Sequence, residues 1–117
     1  MEWIIMIVII AFFAWRMMPK KGVKSISTEE LKGMLKDNSK QFIDVRTPAE
    51  YKGRHISEFK NIPLNILKSK LETLDKEKET VVLCQSGMRS SQAANLLKKA
   101  GFSNVINVRG GMSTWRG

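Results

Sequence analysis

Three short apolar runs, QFIDV (41–45), TVVLC (80–84) and NVINV (104–108), are separated by stretches with helical spacing, and this alternation constrains the fold more than any other feature. TVVLC lacks polar–apolar alternation, which is the pattern of a strand buried on both faces. VKSI (23–26) and NIPL (61–64) are weaker strand candidates. Ser27 and Glu30 form a capping box ahead of Leu31, Met34 and Leu35, while Thr47, Pro48 and Glu50 combine a cap, a helix-first proline and a second capping box. Leu67, Leu71 and Leu74 recur at helical spacing. Ala93, Leu96, Leu97 and Ala100 share one helical face, and Gly101 fits its C-terminal cap. Repeated strand–helix units argue an α/β fold with a central parallel sheet and helices on both faces. Such sheets bind ligands beyond the carboxyl ends of their strands, and Cys84 stands at one of those ends.

The N-terminus differs from the rest. Residues 3–15, WIIMIVIIAFFAW, carry no charge. As a helix they span about 20 Å, and extension over residues 1–18 gives about 27 Å, close to the roughly 30 Å hydrocarbon core of a bilayer. Trp3 and Trp15 fall where an aromatic belt belongs, and Arg16 is placed to snorkel. A signal peptide opens on basic residues and closes on small ones, whereas Glu2 opens this chain and WRMMPKK follows the apolar run. An in-plane helix needs a polar face, which residues 3–15 lack. The expectation is a transmembrane anchor over 1–18, a basic linker over 19–24 and one globular domain over 25–117. Arg16, Lys20, Lys21 and Lys24 all flank the C-terminal side of the run, so the positive-inside rule predicts a single-pass protein with its N-terminus outside and its domain in the cytosol.

Composition excludes some functions. The net charge is +9, but residues 1–24 hold four cations against one acid, and the remaining +6 comes from lysines interleaved with acids, as in KSKLETLDKEKE. No basic-aromatic stripe offers bases a stacking surface, so no nucleic acid is expected as a partner. One cysteine and one histidine exclude an intrachain disulfide and a Cys/His zinc cluster, and no metal is expected. The unpaired thiol suits a reducing compartment.

A lone cysteine ending an apolar strand is often only a small buried hydrophobe. The residues after Cys84 favour a reactive one. Gly87 permits a tight turn, and Gln85, Ser86, Gly87, Met88 and Arg89 can direct successive backbone N–H groups inward as an anion-binding nest. A helix expected from near Ser90 adds its positive end, and Arg89 adds a full charge. Each favours thiolate over thiol, the form that acts as nucleophile.

IDVRTPAEY (43–51), NIPL (61–64), VVLCQSGMRSSQAANLL (81–97) and GFSNVINVRGGMSTW (101–115) together resemble the rhodanese-like sulfurtransferases over about residues 25–117. The resemblance implies a central parallel sheet and a cysteine that accepts sulfane sulfur as a persulfide and passes it to a nucleophile. Carried over, Cys84 is the persulfide carrier, Gln85 to Arg89 form its cradle, and the covalent persulfide replaces any separate cofactor. The implied partners are a small-molecule or protein sulfur donor, for instance thiosulfate, and a thiophilic acceptor; the bilayer is the partner expected of residues 1–18. Asp44 and Arg46 are supporting candidates, although such a pair more often holds neighbouring loops. One departure is GRHISEFKNIP (53–63), where Arg54 precedes His55 and bulky Glu58, Phe59 and Lys60 follow. His55 is thus read as a rim or structural residue, and Arg109 as an anchor for the Gly110–Gly111 turn.

Two other functions fit the same loop. Cysteine phosphatases use a Cys-to-Arg cradle with one residue more than the four between Cys84 and Arg89, and no acid follows here to protonate a leaving oxygen. A non-catalytic binding module is expected to lose the cysteine, which this chain keeps together with Gly87 and Arg89.

Overall fold

The computed structural model describes residues 2–17 and 23–117, with side chains from Trp15 to Met17 outside the description. Helix α1 covers Glu2–Met17. Strands β1 (Val23–Ile26), β2 (Lys40–Asp44), β3 (Lys60–Asn61), β4 (Glu79–Leu83) and β5 (Val105–Val108) form one sheet in the order β1-β5-β4-β2-β3. Every pairing in it is parallel. Helices α2 (Thr28–Lys32), α3 (Pro48–Gly53), α4 (Leu64–Leu67, continued by a 3-10 turn over Lys68–Thr73), α5 (Met88–Lys99) and α6 (Gly111–Thr114) connect or follow the strands.

Both expected capping boxes form: Ser27 and Thr47 accept the backbone N–H of Glu30 and Glu50, and each glutamate reaches back to its cap. These reciprocal bonds satisfy donors that the first helical turn leaves free. Helix α5 ends at Lys99, and Gly101 follows at φ 97°, a left-handed conformation that suits glycine.

The sheet separates two cores. On one side Val82, Cys84, Ile43, Val45 and Val105 pack with Ala93, Ala94 and Leu97 of α5 and Leu67 of α4. On the other, Val81, Leu83, Phe42, Ile106 and Val108 pack with Leu31 of α2, Met112 of α6, Ile56 and Phe59. Helices therefore cover both faces, which explains the unbroken apolar text of β4: successive side chains alternate between two apolar cores. Each of Val81, Val82 and Leu83 is buried completely and contributes on the order of 2 kcal/mol through apolar area removed from water. Asn107 alternates with Ile106 and Val108, so it faces α5 along with Val105.

The transmembrane anchor expected over 1–18 is not supported by the described residues. The apolar run is helical, but α1 has 16 residues, about 24 Å at 1.5 Å per residue, against a hydrocarbon core of about 30 Å. Among the described residues no helix is long and apolar enough to cross a membrane. The roles expected of the Trp15 and Arg16 side chains, and the linker as far as Gly22, lie outside the described residues; Val23 and Lys24 belong to β1. Side chains from Glu2 to Ala14 are exposed and contribute to neither core.

Candidate active site

Cys84 directly follows β4, and its side chain is completely buried. The chain then turns through Gln85 and Ser86 to Gly87, which adopts φ 103° and precedes the first residue of α5. A side chain at that φ is strained, and this turn aims the Gly87 N–H at Cys84 Sγ, 2.9 Å away. Helix α5 starts at Met88, two residues before the expected start near Ser90, because the glycine completes the reversal early.

The other wall is set by Gly111, at φ 55°, where a Cβ would lie 2.1 Å from the Cys84 carbonyl oxygen. Only glycine lets the start of α6 come this close. Met112 and Ser113 N–H then donate to the carbonyls of Cys84 and Gln85, both at 2.9 Å. The loop is thus tied at its base while its N–H groups remain turned toward sulfur.

Ser90 and Asn107 complete the polar surroundings. Cys84 Sγ lies 3.3 Å from Ser90 Oγ, which in turn donates to Asn107 Oδ1 at 2.5 Å; Asn107 Nδ2 donates to Ser91 Oγ at 3.0 Å. Burial pushes the Cys84 thiol up, but hydrogen bonds from the Ser90 hydroxyl and from the backbone N–H groups of Ser90, Gly87 and Ser86 outweigh it and leave the thiol below its ordinary value. The serine has a single hydroxyl proton. In the thiol form Ser90 accepts from S–H and gives that proton to Asn107; in the thiolate form the hydroxyl has to turn toward sulfur. The backbone donors need no such rearrangement.

Arg89 takes a different position from the one expected. It belongs to the first turn of α5, and its Nη1 and Nη2 pair with Glu50 Oε1 and Oε2 of α3 at 2.7 and 2.9 Å. The pair is reciprocal: Arg89, above all other causes, holds the Glu50 carboxyl down at about 2, and Glu50 raises the Arg89 guanidinium. The main groups favouring the thiolate are Ser90 and the backbone N–H groups, not Arg89.

Asp44 and Arg46 form a buried ion pair, with Arg46 Nη2 2.7 Å from Asp44 Oδ2 and Nε 3.0 Å from Oδ1. Arg46 also donates to the carbonyls of Glu50 and Arg54, at 3.2 and 2.7 Å, and reaches Gln85 Oε1 at 3.5 Å. It fastens α3 and the cysteine loop to the end of β2. Met88 is exposed at the loop surface. His55 stacks on Tyr51 and its Nδ1 contacts the Tyr51 carbonyl, while Arg109 bonds the Ser25 carbonyl at 3.0 Å.

Sequence reasoning missed three residues at this site. Glu50 was visible only as a helix cap. Asn107 had a legible signal, since it is a polar residue on an alternating face otherwise bound for the core. Ser90 had none beyond its place after Arg89.

The rhodanese-like domain family model matches residues 27–117. Over 96 residues the chain is 42% identical to the putative sulfurtransferase YtwF of Bacillus subtilis, covering 81% of this chain and 92% of that protein. It is 33% identical over 94 residues to a protein named sulfurtransferase in Allochromatium vinosum, covering 80% of this chain and 88% of that one. A crystal structure of a rhodanese-like domain protein from Staphylococcus aureus superposes with a TM-score of 0.73 at 34% identity, covering 80% of this chain and 91% of that chain.

Proposed function

The chain belongs to the rhodanese-like domain family, and from that premise we propose that it is a sulfurtransferase or persulfide carrier in which Cys84 accepts the sulfur. The observation that carries this reading is the Gly87 N–H, 2.9 Å from a completely buried Cys84 Sγ at the carboxyl end of a central strand. Backbone dipoles directed at sulfur before any substrate arrives stabilise a thiolate without reorganisation. That thiolate attacks the outer, sulfane sulfur of a donor. The donor's S–S bond breaks with its electron pair leaving on the donor remnant, and Cys84 holds a persulfide that a thiophilic acceptor then removes. Thiosulfate and a persulfidated protein are both suitable donors in chemical terms. Gln85 to Arg89 supply the loop around the sulfur, and the covalent persulfide is the only carrier the cycle needs.

The test is intact mass after incubation with a sulfane donor. Wild type gains one sulfur and returns it on addition of cyanide; Cys84→Ser gains none. Equal uptake by Cys84→Ser would overturn the reading.

We further propose the lipid bilayer as the partner of α1 and the cytosolic side of the cell membrane as the place of the domain. Support comes from the exposed apolar side chains of α1, among them Trp3 and Ile5 at 65% and 61%, and from the unpaired thiol. Flotation of the full chain with liposomes, lost when residues 1–18 are deleted, is the expected result; flotation unaffected by the deletion would refute it.

A further inference from the structure

Both terminal nitrogens of Arg89 are committed to Glu50. This two-pronged, charge-assisted pairing takes the terminal fork of the guanidinium and offsets its charge, leaving an incoming anion only the Nε edge. The carboxylate is held from its own side as well: Glu50 Oε1 accepts the Thr47 N–H and hydroxyl, each at 3.0 Å. Arg46 grips the Glu50 carbonyl, so α3 is anchored where the pair forms. The neighbouring arginines are engaged too, Arg46 with Asp44 and Arg54 with the Trp115 carbonyl. With Cys84 ionised, the thiolate, Glu50 and Arg89 together carry one negative charge before any donor arrives.

We propose that Glu50 selects the sulfur donor: by occupying Arg89 it withholds the cation that a small dianion such as thiosulfate needs beside Cys84, and it turns the site toward a thiol-borne persulfide, R–S–SH. The inference rests on Cys84 being the sulfur acceptor. With R–S–SH, the Cys84 thiolate bonds to the outer sulfur and the R–S bond to that sulfur breaks. Its electron pair leaves as R–S⁻, and the proton stays on the new Cys84 persulfide or passes to that thiolate. No oxidant or reductant is required. Thiosulfate undergoes the same exchange and releases sulfite, but it brings two negative charges to a site already negative. The persulfide group itself brings one at most.

Glu50→Gln tests this in the full chain, because glutamine keeps the Oε1 acceptor that caps α3 while the charge is lost. Sulfur uptake by Cys84 is followed by intact mass over a concentration series of thiosulfate and, separately, of 2-mercaptoethanol persulfide, which carries no charge outside its persulfide group. Wild type is expected to use the persulfide more efficiently. Glu50→Gln should lower the half-saturating thiosulfate concentration about tenfold, the equivalent of one freed charge-assisted contact. The ratio of thiosulfate to persulfide efficiency should rise accordingly. Adding Arg89→Ala to Glu50→Gln should remove that gain, which a merely structural role of Glu50 would not predict. An unchanged ratio in Glu50→Gln, or a wild type that prefers thiosulfate, overturns donor selection while leaving sulfur acceptance in place. Uptake from neither donor overturns the sulfurtransferase reading itself.

Discussion

Replacing Ser90 by alanine removes a hydroxyl that lies 3.3 Å from the Cys84 sulfur. A hydrogen bond to a charged group contributes about 1.5–3 kcal/mol. To give it, the Ser90 hydroxyl must leave Asn107, which costs about 1 kcal/mol. The difference is about 0.5–2 kcal/mol, which centres near one pKa unit. No water replaces the lost donor directly, because Cys84 is completely buried. Ser90→Ala should therefore raise the thiol pKa by about one unit. Alkylation by iodoacetamide reads this out cleanly, since the chain has one cysteine. On the limb below the pKa the variant should react about tenfold more slowly than wild type, and the two should converge at alkaline pH. Superimposed pH profiles would show that the backbone N–H groups suffice and that the hydroxyl does not stabilise the thiolate.

Arg46→Ala leaves the Asp44 carboxylate buried without its partner and should lower stability by about 3–5 kcal/mol, seen as a large drop in thermal midpoint; a midpoint within a few degrees of wild type would refute the anchoring role. Gly111→Ala places a Cβ against the Cys84 carbonyl and should cost on the order of 3 kcal/mol, so a native-like melt with normal Cys84 alkylation would show that α6 does not define the loop. The Glu50 carboxyl is depressed to about 2, chiefly by Arg89, so its contribution to stability is complete above the unfolded range near 4.3 and is lost as pH falls toward 2. The side chains of this pair are about one-third exposed, and solvent screening reduces the contribution to about 1 kcal/mol. Glu50→Gln should flatten the acid unfolding limb in that window, and coincident acid titrations of variant and wild type would refute the linkage.

Features that depend on neighbours a few residues apart were open to reading from the text. The two capping boxes join residues three apart, and the strand-helix alternation and continuous apolar β4 follow from local periodicity and two-sided burial. The placement of Cys84 at a strand end follows from the same pattern. The length of α1 was only partly legible, because the apolar run marks a helix but not how far its ends extend. What surrounds the sulfur was decided in three dimensions. Arg89 stands beside Cys84 in sequence, yet the early start of α5 places it on a helical turn facing α3, where a carboxylate 39 residues away claims both its nitrogens. Ser90 meets Asn107 only because parallel pairing sets β5 beside β4, and strand alternation then turns the amide toward α5. The chain's residue types announced a thiolate site, but the direction of each side chain came from packing, since a charge stabilises only what its geometry lets it reach.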